Sequence, residues 1–159
     1  MIKVSKFGGS SVADANQFRK VKDIIRSDSS RRFVIVSAAG KRDKNDHKIT
    51  DLLYLCNAHM TYGVPCDEIF DRISERFIEI RDNLGLSYRI ESDLEEIRSK
   101  LGRDMSIDEL VSRGEYLTAR LMAEFLGYYF LDGKVYAVDS NKCEKSFSGT
   151  YSGTMTAVF

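Results

Sequence analysis

Long apolar runs, proline, paired cysteines and an excess of either charge are scarce or missing in these 159 residues, and each absence removes a class of protein. No segment approaches the roughly twenty consecutive apolar residues that a membrane-spanning helix needs. The opening Met1-Ile2-Lys3-Val4 is not a basic region leading into an apolar stretch. The expectation is therefore a cytoplasmic protein with no membrane partner. Lys plus Arg and Asp plus Glu number 24 each, so net charge gives no reason to expect a nucleic-acid partner. Cys56, Cys66 and Cys143 are an odd set without Cys-x-x-Cys spacing, distant in sequence from His47 and His59. Free packing thiols in a reducing compartment fit better than a disulfide framework or a zinc site, and no protein-derived metal site is expected.

What is present is 43% hydrophobic residues, enough for one core of mixed character. Residues 2–7 form an apolar-rich run that ends in Gly8-Gly9-Ser10-Ser11, and Phe18, Val21, Ile24 and Ile25 then recur at helical spacing. This reads as strand, glycine turn, helix, with Ser10 or Ser11 as the helix start, or Asp14 in a capping box with Gln17. Phe33-Val34-Ile35-Val36 suits a strand buried on both faces and joined to the first through a helix, which makes the pairing parallel. Thr50 is a candidate N-cap for the next helix. Pro65 precedes a long amphipathic helix that runs to Gly85. Ser92 with Glu95 and Ser106 with Glu109 each have the form of a helix start, the second opening a segment that ends at Gly127. Short strands are expected over 128–131 and 135–138, around Asp132-Gly133. The Ser-, Thr- and Gly-rich stretch 146–156 has little periodicity, and its Ser148-Gly149-Thr150-Tyr151-Ser152-Gly153 lacks the Gly-Lys-Ser/Thr ending of a phosphate loop.

Several segments carry candidate chemistry. Lys6 stands at the carboxyl end of the first strand, where ligands of open α/β sheets bind, and Gly8, Gly9 and Ser10 follow in a turn whose backbone N–H groups can approach an oxyanion. A surface lysine beside a tight turn is the plain alternative. Ser37-Ala38-Ala39-Gly40 ends the second strand on the same edge, leaving room for a substrate or simply forming a turn. Lys41, Arg42, Lys44, His47 and Lys48 alternate with Asp43 and Asp46 in a loop that is either a solvated connection or a mobile lid over an anion. Gly114 interrupts a helical pattern in Ser112-Arg113-Gly114-Glu115. There Glu115 either pairs with a nearby arginine or accepts the ammonium group of an amino acid.

The stretch Lys6-Phe7-Gly8-Gly9-Ser10-Ser11-Val12-Ala13 resembles the opening signature of aspartate kinases, within the broader amino-acid kinase fold. Val36-Ser37-Ala38, Lys48-Ile49-Thr50-Asp51-Leu52-Leu53 and Ser112-Arg113-Gly114-Glu115-Tyr116-Leu117-Thr118-Ala119 resemble the next three motifs in the same order. Four ordered motifs are far more specific than any one.

This resemblance implies an α/β fold: a three-layer α/β/α sandwich with a mostly parallel sheet, truncated to its N-terminal half. Residues 1–131 would form the N-terminal part of the kinase domain and 132–159 a divergent tail, with no ACT domain and no recognisable nucleotide-binding half. It implies transfer of the γ-phosphoryl group of ATP, with Mg2+, to L-aspartate, the first step of lysine, threonine and methionine biosynthesis. Lys6 would be catalytic, Gly8, Gly9 and Ser10 would line the phosphate path, and Ser37, Thr50 and Glu115 would hold aspartate. Full-length relatives would be homo-oligomers, and this chain alone would turn over little or not at all. Glutamate, acetylglutamate or a nucleoside monophosphate as acceptor, or a non-catalytic binding fragment, remain alternatives.

Overall fold

A computed structural model describes residues 1–102 and 105–132 in full, together with the backbone of three short strands over 136–139, 142–146 and 156–158. Strand β1 (Lys3–Phe7) leads through Gly8 into a 3-10 turn (Gly9–Val12) and then into helix α1 (Ala15–Arg26). Of the three candidate starts for α1, Asp14 is the one used. Its side chain accepts from the Gln17 backbone N–H at 2.9 Å, satisfying a donor that the first helical turn leaves free. The glycine turn therefore abuts the 3-10 turn, and the α-helix begins beyond it.

Strand β2 (Arg31–Val36) pairs with β1 in parallel, with Lys6 opposite Ile35 and Phe7 opposite Val36. Val34 and Val36 are buried while Ile35 is only half-buried, so the two-sided burial expected of this run is complete on one face only. The ends of β1 and β2 lie side by side, which delivers Gly8-Gly9-Ser10 and Ser37-Ala38-Ala39-Gly40 to one edge of the sheet.

Four helices follow: α2 (Ile49–Thr61), α3 (Asp67–Leu84), α4 (Ile90–Lys100) and α5 (Ile107–Leu126). Ser106 caps α5 as expected, its Oγ accepting from Glu109 N–H at 3.1 Å. The amphipathic helix after Pro65 ends at Gly85, which takes the left-handed conformation that closes a helix without a Cβ penalty. Two expected caps are displaced. Helix α2 begins at Ile49, after an extended Lys48 with no side-chain cap bond, so Thr50 is the second helical residue rather than the N-cap. Helix α4 begins at Ile90, so Ser92 lies inside it and caps nothing. In both cases buried apolar residues at the helix start, Ile49 and Ile90, fix the boundary by packing. Gly114 does not interrupt α5, which runs through it unbroken.

The core is mainly helical, built on Phe18 of α1, Phe70 and Phe77 of α3, Leu53 of α2, and Leu117 and Leu121 of α5, all essentially without solvent contact. Helix α5 packs against α1, α2, α3 and α4 as well as the sheet, so it places its residues against the strand edge. The chain continues through β3 (Phe130–Leu131), β4 (Tyr136–Asp139), β5 (Lys142–Ser146) and β6 (Thr156–Val158). The main sheet has the order β1-β2-β6-β3, with β6 antiparallel to both neighbours, and β4 and β5 form an antiparallel pair. The turn expected at Gly133 and the Ser148–Gly153 segment lie outside the described residues. Among the described residues no helix is long and apolar enough to cross a membrane.

Candidate functional site

At the strand edge the backbone closes tightly on itself. Gly40 N–H donates to the Gly9 carbonyl at 2.9 Å, Ser37 N–H to the Phe7 carbonyl at 3.0 Å, and Ile49 N–H to the Ala39 carbonyl at 3.0 Å. These three bonds tie the glycine turn, the end of β2 and the start of α2 into one unit. Helix α5 is drawn onto that unit at Gly114, where an added Cβ would come within 2.8 Å of the Ala38 Cβ and 3.2 Å of Ile49 and Leu53 methyl carbons. The missing side chain at Gly114 is what brings the next residue, Glu115, to the strand edge.

The result is a cavity of about 440 Å³ lined by Gly9, Ser10, Ser37, Ala38, Gly40, Lys41, Lys48, Thr50 and Glu115. Ser37, Thr50 and Glu115, drawn from three separate segments, thus share one space with Gly9 and Ser10. Thr50 is free to do so because its hydroxyl is not used as a helix cap. Lys6 and Gly8 are not part of the lining. Lys6 is exposed on β1, two residues before Gly8, and its ammonium group makes no ion pair among the described residues. The place a Cβ would take at Gly8 is open, with no atom within 4 Å and no positive φ at that residue. The packing of the fold does not itself demand a glycine there.

Glu115 is the electrostatic anomaly of the site. Its Oε2 is buried and has no hydrogen-bond partner. Burial pushes its carboxyl above the usual glutamate range, against the opposing influence of its own backbone N–H, that of Ala38, and the Arg113 charge. Arg113 turns away to the Ser112 hydroxyl, the Glu109 carbonyl and the Tyr116 ring, so the expected alternative of a Glu115–arginine pair is not formed. A buried carboxylate oxygen without a donor is costly unless a cation arrives to meet it.

The charged loop 40–48 is pinned rather than free, contrary to the lid reading. Arg76 of α3, only 5% exposed, donates to the Gly40 carbonyl at 3.1 Å and to both carboxylate oxygens of Asp46 at 2.5 Å. Arg42 joins Asp46 at 3.0 Å and Glu79 at 2.7 Å. Burial works against the Asp46 charge, but hydrogen bonds from Arg42 and the His47 backbone and the charge of Arg76 outweigh it, so its carboxyl sits well below the usual range. Neither Arg76 nor the two cavity lysines stands out in the sequence as part of a site. The signals for Lys41 and Lys48 are their place in a basic loop next to a small-residue turn and, for Lys48, the first position of the Lys48-Ile49-Thr50-Asp51-Leu52-Leu53 motif; for Arg76 the signal is a charge on the apolar stripe of α3. No group of three His, Cys, Asp or Glu side chains suited to a metal ion is brought together among the described residues.

Comparison with known proteins bears on this arrangement. Aspartokinase 3 of Bacillus subtilis is 35% identical over 136 residues, covering 80% of this chain and 29% of the relative. The crystal structure of Clostridium acetobutylicum aspartate kinase is 46% identical and superposes with a TM-score of 0.81 over 89% of this chain and 33% of that one. The structure of Escherichia coli aspartokinase III in complex with aspartate and ADP is 32% identical, with a TM-score of 0.63 over 80% of this chain and 29% of that one. The chain therefore spans about a third or less of the length of these relatives. The sequence profile of the amino acid kinase family matches residues 1–156, nearly the whole chain. Profile, relatives and backbone agree, and the chain belongs to the amino acid kinase family.

Proposed function

We propose that this chain carries the acceptor side of an aspartate kinase site, binding L-aspartate for phosphorylation by ATP. The observation that carries this reading is the unpartnered, buried Oε2 of Glu115 in a cavity shared with Ser37 and Thr50. An α-ammonium group supplies the missing donor, and the two hydroxyls supply donors for carboxylate oxygens. The same feature argues against acetylglutamate, whose acylated nitrogen carries no positive charge. The solved Escherichia coli relative, which holds aspartate and ADP, supports the same pairing of ligands.

Bound Mg-ATP supplies the phosphoryl group, and magnesium arrives on its phosphates. The chain's own contribution is positioning and electrostatics. Glu115 fixes the amino group, so that the side-chain carboxylate of aspartate is held toward Gly9 and Ser10. One of its oxygens forms the new bond to phosphorus as the bridging oxygen–phosphorus bond breaks, giving 4-phospho-L-aspartate and ADP. Gly8 leaves space for phosphate oxygens against the backbone, and Lys6 offsets the charge that develops on them. Action in the cytoplasm, within a homo-oligomer, and in the biosynthesis of lysine, threonine and methionine belongs to the same reading.

Titration calorimetry with L-aspartate and N-acetyl-L-aspartate tests it. Binding of the first and not the second is expected, and equal binding of both would mean that Glu115 does not hold the ammonium group. Because the chain spans 29% of the Bacillus subtilis relative, these 159 residues alone are expected to release little ADP in a coupled assay with Mg-ATP and L-aspartate. Robust turnover would show that they carry more of the site than is proposed.

A further inference from the structure

Resting on L-aspartate as the ligand, we propose that Lys41 and Lys48 determine specificity, selecting an amino acid with an acidic side chain over its neutral amide. Apart from the exposed Asp43 and Lys44, which among the described residues neither join an ion pair nor line the cavity, the charges of loop 40–48 divide into two sets. Arg42 and Asp46 pair with each other and with Arg76 and Glu79, and the His47 ring contacts Arg72. Lys41 and Lys48 line the cavity and make no ion pair among the described residues. The paired charges fasten the loop, and Lys41 and Lys48 are the unpaired charges that border the cavity.

The charge count of the cavity supports this division. Two lysines against Glu115 leave one positive charge on the lining, counting Lys41, Lys48 and Glu115 only. L-Aspartate, with one ammonium and two carboxylates, carries one net negative charge. L-Asparagine, of nearly the same shape, carries none. Glu115 alone accepts either amino acid equally, because both have the ammonium group. Discrimination needs a cation facing the second carboxylate, and the lysines of this loop are the cations that line the cavity.

The loop is built to hold them in place. Its first residue is tied to the glycine turn through Gly40 N–H to the Gly9 carbonyl and to α3 through the Arg76 guanidinium. Its far end is tied through Ile49 N–H to the Ala39 carbonyl, and its middle through Asp46 to Arg76. A lysine on an anchored loop loses less freedom on binding than one on a mobile lid, so more of its attraction appears as selectivity.

Calorimetric titration of the 159-residue chain with L-aspartate and with L-asparagine decides the matter. Lys41→Met and Lys48→Met are each expected to weaken aspartate about fivefold, the equivalent of about 1 kcal/mol, while asparagine stays within about twofold. Lys48→Arg, which keeps the charge, restores the preference, and added salt erodes it in the parent chain but not in the double Met variant. Circular dichroism and melting curves establish that each variant is folded. A Met variant that weakens both ligands equally, or neither, overturns the proposal while leaving the aspartate reading intact. Glu115→Gln probes that reading separately and is expected to weaken both ligands. A parent chain that binds neither amino acid overturns both.

Discussion

Gly9 and Gly40 meet backbone to backbone: Gly40 N–H donates to the Gly9 carbonyl at 2.9 Å, and a Cβ on Gly40 would fall 2.7 Å from the Gly9 carbonyl carbon. The reciprocal Cβ on Gly9 would fall 2.8 Å from the Ala38 carbonyl oxygen. All of these neighbours are main chain, and main chain cannot step aside as a flexible side chain does. The contact holds two cavity walls, the glycine turn and the end of β2, at fixed separation.

Gly40→Ala should therefore destabilise the fold by about 1–3 kcal/mol through overpacking, read as a lower urea midpoint with an unchanged slope. Gly8→Ala is the contrasting case. Nothing lies within 4 Å of its added Cβ and its φ is negative, so its urea midpoint should stay near that of the parent. Its loss should appear only in phosphate handling. Equal destabilisation by the two substitutions would contradict a division between a glycine packed against main chain and one with open space around it.

Glu115→Gln should stabilise the unliganded protein while weakening amino-acid binding. The carboxyl is raised in the folded state, so between its ordinary and its raised range the folded chain holds a proton that the unfolded chain has released. Stability then falls as pH rises through that window and stays low above it. Gln removes the effect. Thermal melts should show the variant ahead of the parent near neutral pH, with the difference closing as pH falls into the ordinary carboxylate range. A variant that melts below the parent at neutral pH would mean that the charge of Glu115 is compensated within the chain.

The Asp46–Arg76 pair has the opposite sign. Asp46 is held below its unfolded range, so its contribution is present above that range and is lost as pH falls through the depressed one. Asp46→Asn strands the Arg76 guanidinium, which is 5% exposed, and should cost about 3–5 kcal/mol, the usual penalty for breaking a buried pair. Arg76→Met with Asp46→Asn together should recover part of that loss, a coupling that a double-mutant cycle in urea measures directly. Purely additive effects would mean that the loop is fastened elsewhere.

What is legible in the sequence is mainly local. Asp14 with Gln17 and Ser106 with Glu109 cap α1 and α5 because a capping box is a contact within four residues, complete in the string itself. Thr50 has the look of a cap but is not one, because the start of α2 is set by the burial of Ile49 against distant residues, a tertiary effect that no four-residue window contains. The same limit applies at the site. Ser37, Thr50 and Glu115 can be named from motifs, yet their sharing of one cavity depends on Gly114 letting α5 close on Ala38. That Lys41 and Lys48 stand unpaired at the cavity is not in the string, because whether a charge in 40–48 is paired is decided by Arg76 and Glu79 on α3.

Cys56 and Cys66 provide a test of the core that is independent of any ligand. Both thiols are free and buried, Cys56 on α2 without solvent contact and Cys66 just before α3, close enough to interact. Burial first, and then the neighbouring Cys66, push the Cys56 thiol up to about 12. The nucleophile toward iodoacetamide is the thiolate, so at about pH 8 very little of Cys56 is in its reactive form in the folded chain. Alkylation of the peptide containing Cys56 should therefore be slow in buffer and fast in urea, with the ratio of rates reporting how seldom α2 and α3 separate. Peptide mapping keeps its signal distinct from those of Cys66 and Cys143. A folded-state rate for Cys56 matching that in urea would show that the α2–α3 contact opens freely, and the anchoring of loop 40–48 to α3 would then lose its rigid base.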